Sequence, residues 1–182
     1  PFIINGRGLK SINQFYNKRR AELQSELKRR NNKDWSEKLD LITQKRFNRI
    51  KNYMHNASSY VIKWCVNNQI DTLVVGHNDE WKQKVKLGRK VNQNFTYIPY
   101  DMLIKQLAYK CENVGIRFIE IEESYTSGTS FLDGELPCKE NYDKSRRVKR
   151  GLFQSGQGLI NSDVNGSLQI IRKVFPDAFS YG

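Results

Sequence analysis

Apolar and polar positions change their period several times along the chain, and each change marks an element. From Ser11 to about Arg30, Ile12, Tyr16, Leu23 and Leu27 fall on one stripe, with Lys18-Arg19-Arg20 and Lys28-Arg29-Arg30 distributed around the helix this predicts. Ser11 with Gln14 has the form of a capping box. Asn31-Asn32-Lys33-Asp34 breaks the period and reads as a turn. A longer helix is predicted from Ser36 to about Asn67. Its Phe47, Ile50, Met54, Ala57, Val61 and Trp64 recur three and four apart, the spacing that keeps side chains on one seam. The two helices should form an antiparallel hairpin, and nothing on the seam carries chemistry beyond packing.

The period then shortens. Asp71-Thr72-Leu73-Val74-Val75-Gly76 is a continuous apolar run with β-branched residues, expected as a strand buried on both faces of a parallel sheet. Pro99 suits the first turn of a helix whose buried stripe is Leu103, Leu107 and Cys111 and whose end is Gly115. Ile116-Arg117-Phe118-Ile119-Glu120-Ile121 is a second strand. Strand, helix and strand in this order predict a βαβ unit, so the fold class is α/β. From Ser124 to Asn161 the chain is rich in Gly, Ser and charge, with no helical period. Asp163 is expected to cap a last helix with Val164, Leu168, Ile171 and Val174 turned inward, stopping before Pro176. No internal repeat is present.

Charge changes the picture from a generic domain to a polyanion binder. Lys and Arg total 31 against 19 Asp and Glu, a net charge of +12 over 182 residues, which favours a nucleic-acid partner over a merely solvated basic surface. Two clusters stand out. Lys82, Lys84, Lys86, Arg89 and Lys90 lie in a polar stretch from Trp81 to Asn94 expected as a basic loop. Lys144, Arg146, Arg147, Lys149 and Arg150 form the second, able to neutralise several phosphates, the alternative being a solvated tip. No apolar run reaches the roughly 18 to 20 residues needed to cross a bilayer, so no membrane is expected as a partner. Cys65, Cys111 and Cys138 are an odd number without metal-type spacing and read as residues of a reducing compartment, the cytoplasm. His55 and His77 are the only histidines, too little material for a histidine-based catalytic dyad. His77 lies at the C-terminal end of a strand, where parallel α/β sheets place sites. Phe2-Ile3-Ile4, closed by the turn pair Asn5-Gly6, looks like the middle of a strand, so the sequence is expected to be a fragment.

Several of these segments, in order, resemble one family. Tyr97-Ile98-Pro99-Tyr100, Leu107, Tyr109-Lys110, Gly115-Ile116, Glu122-Glu123-Ser124-Tyr125-Thr126-Ser127 and Asn161-Ser162-Asp163-Val164-Asn165 together resemble the C-terminal half of TnpB proteins. These are insertion-sequence proteins related to type V CRISPR effector nucleases and often labelled transposase accessory proteins. The likeness extends from about Ile12 to the end. It implies an RNase H-like, RuvC-type fold in a bacterial or archaeal cytoplasm. It implies as partners a guide RNA and DNA, and as activity RNA-guided DNA cleavage with Mg²⁺. The corresponding division is a strand and turn remnant at 1–10, a helical hairpin at 11–67 and a RuvC-like βαβ core at 68–125. A degenerate zinc-ribbon-like insert then occupies 126–160, and the C-terminal helix of the core 161–182.

Nucleases of this type hold two Mg²⁺ with three carboxylates, because the metals activate water and stabilise the leaving oxygen. The first family Asp is expected upstream of Pro1, so this stretch alone is expected not to cut. The second, a Glu at the end of the Leu73-Val74-Val75 strand, is matched here by Gly76, which binds no metal. Glu123, with Glu122 beside it, is the nearest residue for a relocated ligand, the alternative being solvated carboxylates at a strand end. Asp163 matches the third carboxylate and is expected to combine metal ligation with helix capping. The family's four-cysteine zinc ribbon is matched by Ser130 and Asp133 in its first half and by Phe153 through Gly158, without Cys or His, in its second. No zinc is expected, since a structural site needs four convergent ligands. Phe131, Leu136, Tyr142, Leu152 and Phe153 are expected to hold the loop instead. A strand missing beside Leu73-Val74-Val75 predicts an exposed sheet edge open to self-association. Two readings follow: a piece of a TnpB-type endonuclease, or a nuclease-dead module that binds RNA or DNA.

Overall fold

A computed structural model describes residues 2–78 and 99–179. They fall into two compact units, a helical one at 4–70 and 99–115 and a sheet-containing one at 2–3, 71–78 and 116–179.

In the helical unit, α1 (Arg7–Asn31) and α2 (Glu37–Asn67) form the antiparallel hairpin. Tyr16 meets Thr43 at 3.0 Å and Arg46 Nε donates to Asn13 at 2.6 Å. The Tyr53 hydroxyl donates to the Asn5 carbonyl at 2.5 Å. The first helix starts one turn earlier than Ser11. Gly6 is its N-cap, Asn5 Oδ1 accepts from the Arg7 amide, and Ser11 Oγ donates back to the Arg7 carbonyl, so no capping box forms. The second helix opens at Ser36 as expected, its hydroxyl accepting from the Leu39 amide. The buried seam of α2 is Leu39, Ile50, Met54, Ser58, Ile62 and Cys65, while Phe47 is 47 % and Trp64 40 % exposed. A 3.5-residue spacing drifts around a straight helix, so apolar residues at the two ends of the expected seam leave the interface. Ser58 takes a core place because its hydroxyl donates to Gln106 Oε1.

Gln106 lies on α3 (Tyr100–Asn113), which packs on α2 with Leu107 and Cys111 buried. Leu103 sits at the margin of the cluster made by Leu9, Ile50 and Met54. Lys110 Nζ donates to the His55 carbonyl and to Ser58 and Ser59, and burial lowers its pKa. Burial pushes the thiols of Cys65 and Cys111 up, the ordinary behaviour of core cysteines. The helix expected to complete a βαβ core thus packs within the helical unit.

In the other unit, β1 (Thr72–His77) pairs in parallel with β2 (Arg117–Glu122), Thr72 opposite Arg117 and His77 opposite Glu122. All six β1 residues are half-buried, so this strand is not enclosed on both faces. Phe2, Ile3 and Ile4 form no strand and are exposed. The insert holds a short hairpin missing from the sequence reading, β3 (Leu152–Ser155) with β4 (Gly158–Asn161). Gly158, at φ 128°, occupies a conformation other residues avoid.

The last helix, α4 (Ser162–Val174), is capped by Asn161, whose Oδ1 accepts from the amides of Asp163 and Val164. Asp163 is therefore not the cap. Its buried face is Ser162, Asn165 and Gln169, in place of Val164, Leu168, Ile171 and Val174. The reason is what the helix faces: irregular backbone at 129–135, whose polar groups need partners. Asn165 accepts from the Phe131 amide and donates to the Thr129 carbonyl. Gln169 donates to Thr129 Oγ1 and the Glu135 carbonyl, and Arg172 to the carbonyls of Phe131 and Glu135.

Candidate functional site

The carboxylates named from sequence come from the end of β2 and the start of α4. The Glu122 carboxylate is held by the Ser124 hydroxyl and amide and lies 3.5 Å from Lys173, whose ammonium also donates to the Glu122 carbonyl at 2.7 Å. These bonds, Ser124 first, lower its pKa. Glu122 is thus one side of a clamp joining β2 to α4.

Glu123 differs. Its amide donates to the His77 carbonyl at 3.0 Å, its carbonyl accepts from Thr126, and burial raises its carboxyl pKa against a smaller opposing pull from His77. A desolvated carboxyl at a strand end is suited to gaining a cation or holding a proton. His77 Nδ1 itself lies 3.5 Å from Glu120.

Gly76 is closed over. A Cβ there would lie 2.5 Å from Ile170 Cδ1 and 3.2 Å from Glu123 Cβ, so α4 lies directly on this position. Asp163 is exposed in the first turn of α4, seven residues before Ile170. Seven residues are two turns, so it shares Ile170's stripe at a rise of about 10 Å. Asp163 therefore lies on the helix face that carries Ile170, two turns from the contact with Gly76. No group of three or more His, Cys, Asp or Glu able to hold a metal forms among the described residues.

The second basic cluster is ordered by local bonds. Asp143 caps a 3₁₀ turn at Lys144–Arg146 by accepting from the Ser145 amide and hydroxyl, and its own amide donates to the Gly128 carbonyl. Lys144, Arg147, Lys149 and Arg150 are exposed, and none of the four makes an ion pair among the described residues. Arg146 turns inward, away from the other four. Its Nη1 lies 2.7 and 2.8 Å from the two Glu135 oxygens, Nη2 2.6 Å from Asp133 Oδ2, and Nε donates to the Gln154 carbonyl at 3.1 Å. The guanidinium also stands 5.2 Å from the centre of the fully buried Phe153 ring. Asp133 further accepts from the Gly156 amide, which with Ser130 and Arg146 lowers its pKa. Of the apolar residues expected to hold this loop, Phe153 is fully buried, Phe131 and Leu152 are half-buried, and Tyr142 packs edge-on against Tyr125, whereas Leu136 is 56 % exposed. The inward role of Arg146, Asp133 and Glu135 escaped the sequence reading, because one arginine among five basic residues has nothing to mark it. Lys82, Lys84, Lys86, Arg89 and Lys90 lie outside the described residues.

Two family models match the chain: OrfB_IS605, described as "Probable transposase", over residues 1–82, and "Cas12f1-like, TNB domain" over residues 100–170. The chain is similar to the TnpB family over both regions. Two solved structures share the fold of this chain. A Cas12f1–sgRNA–target DNA complex matches at TM-score 0.58 and 18 % identity, over 86 % of this chain and 40 % of that one. A CRISPR-Cas12f ternary complex matches at TM-score 0.65 and 17 % identity, over 93 % of this chain and 34 % of that one. The chain thus spans 40 % and 34 % of the length of these two structures. No curated protein matches it. Among its described residues no helix is long and apolar enough to cross a membrane.

Proposed function

We propose that this chain is the nucleic-acid-binding C-terminal part of a TnpB-type, RNA-guided DNA endonuclease with an RNase H-like core, the transposase-associated protein of an insertion sequence. The observation that carries the reading is the ordered basic tip, where Lys144, Arg147, Lys149 and Arg150 face solvent on a hydrogen-bonded turn. Four exposed cations within one short segment are able to neutralise several phosphates of one backbone. The two family-model matches and the nucleic-acid complexes formed by the similar structures support the same partner, guide RNA and target DNA.

Cutting asks for more than these residues supply. A two-Mg²⁺ centre needs three convergent carboxylates, and the described residues offer Glu123 and Asp163 on facing elements without forming such a group. Glu122, held by Ser124 and Lys173, is poorly placed to join them. The set does not fit a metal centre by itself, so cleavage requires carboxylates beyond Glu123 and Asp163. A second reading, a module that binds without cutting, is favoured by one observation: Ile170 occupies the space beside Gly76 where a ligand side chain would start. Mg²⁺-dependent cleavage by the longer protein, abolished by Asp163→Ala, selects the first reading. Salt-sensitive binding with no cleavage selects the second. The β1 edge, with β2 its one ladder partner among the described residues, is a place for a further strand or a second copy.

The test of the shared claim is fluorescence anisotropy of labelled single-stranded DNA and RNA against the full chain over a salt series. Four neutralised phosphates give a log–log slope of roughly −3 on a single strand. No binding, or a slope near zero, would overturn the proposal.

A further inference from the structure

Resting on that nucleic-acid reading, we propose that Arg146 is a positioning residue: its guanidinium is the internal cation that ties three segments of the insert together and thereby presents Lys144, Arg147, Lys149 and Arg150 to a phosphate backbone.

The geometry separates Arg146 from its neighbours. Its side chain is 20 % exposed, as is that of Asp133, with Glu135 at 26 %, so this ion pair is shielded far more than a surface bridge such as Arg19–Glu22 at 44 % and 48 %. The partners come from two other stretches of the insert. Asp133 and Glu135 come from the turn after Ser130, Gln154 and Phe153 from β3, and Arg146 from the 3₁₀ turn that begins the basic tip. Both carboxylates extend the network. Glu135 Oε2 accepts from the Ser130 amide at 2.7 Å, and Asp133 Oδ2 from the Gly156 amide in the turn between β3 and β4. One guanidinium therefore fixes where the 144–150 segment leaves the insert. Arginine suits this place because its planar fork meets several acceptors in fixed directions, which a lysine ammonium does not. A side chain thus supplies the positive charge at the centre of this network.

The consequence runs opposite to simple electrostatics, which makes it testable. Glu135→Gln removes a negative charge beside a basic tip. If only net charge mattered, binding to DNA or RNA would tighten. If Arg146 positions the tip, releasing it from Glu135 weakens binding despite the gain in charge. Anisotropy with the same DNA and RNA strands is measured for the wild type, Glu135→Gln, Arg146→Gln, Arg146→Lys and Arg147→Gln. Losing one phosphate contact lowers the salt slope by about 1 without disturbing the insert, the result expected for Arg147→Gln. For Glu135→Gln and Arg146→Gln we expect weakening of about tenfold, with partial recovery in Arg146→Lys, and loss of exchange protection at the Gly156 amide. Tighter binding by Glu135→Gln, or full-strength binding by a variant whose Gly156 amide has lost protection, overturns the proposal. Absence of binding by the wild type would instead overturn the nucleic-acid reading on which it rests.

Discussion

The two units of this chain are built on different physics. The helical unit buries Leu9, Leu23, Ile50, Met54, Ile62 and Leu107, an apolar interior with a few polar insertions such as Ser58 and Gln106. Among its described residues the sheet-containing unit buries Ile116 and Phe153 as its large apolar side chains, alongside Thr126, Thr129, Ser130, Ser155, Ser162, Asn165 and Gln169. Apolar burial is non-directional and tolerates volume-conserving exchange. A polar interior depends on each bond having both partners, so it specifies the path of an irregular chain closely and fails sharply when one member is removed. That difference suits a unit whose task is to hold a loop, with its exposed cations, in one shape.

The contrast is broken first at its strongest points. Phe153→Ala should destabilise the sheet-containing unit by about 3–5 kcal/mol, and Met54→Ala the helical unit by about 2–5 kcal/mol, as is usual for emptied cores. Amide exchange resolved by residue should show each loss confined to its own unit. Asn165→Leu keeps the side chain's branching and heavy-atom count but strands the Phe131 amide and the Thr129 carbonyl, at about 1–3 kcal/mol for each group left unpaired. A similar Leu replacement of half-buried Val164, on the apolar side of the same helix, should cost less than about 1.5 kcal/mol, a difference that thermal melts can read.

How much of this could be read beforehand follows the same division. Hydropathy period located α1, α2, α3, β1 and β2 because burying apolar surface leaves a periodic trace in the chain. It placed Phe47 and Trp64 on the wrong side of α2, where the seam continues through Ser58 by a hydrogen bond. In α4 the trace pointed to Val164 and Leu168, yet Asn165, Gln169 and Arg172 face the loop, since partners for bare backbone carry no hydropathy signature. The hairpin at β3 and β4 was hidden for the same reason. Among the candidate site residues, Glu123 and Asp163 were legible only through the family pattern, and the inward turn of Arg146 depends on Asp133 and Glu135, which sequence spacing does not connect to it.

Smaller effects come from titration. Burial raises the Glu123 pKa, so its protonated form favours the fold. That contribution is complete below the ordinary glutamate range and is lost as pH rises through the raised value. Glu123→Gln should therefore raise the melting temperature of the sheet-containing unit at neutral pH and leave it unchanged in acid. Asp133 has the opposite sign: its lowered pKa gives stability that is present above the ordinary aspartate range and disappears as pH falls through the lowered value. Exchange at the Gly156 amide should accelerate over that acid window.

The claim that a directional polar network organises this unit is tested most directly by a double-mutant cycle on Arg146 and Glu135, read from exchange of the Phe131 and Gly156 amides. A coupling of about 1–3 kcal/mol between Arg146→Gln and Glu135→Gln is the predicted result. Effects that add to within about 0.3 kcal/mol would contradict it, leaving the pair as two independent surface charges.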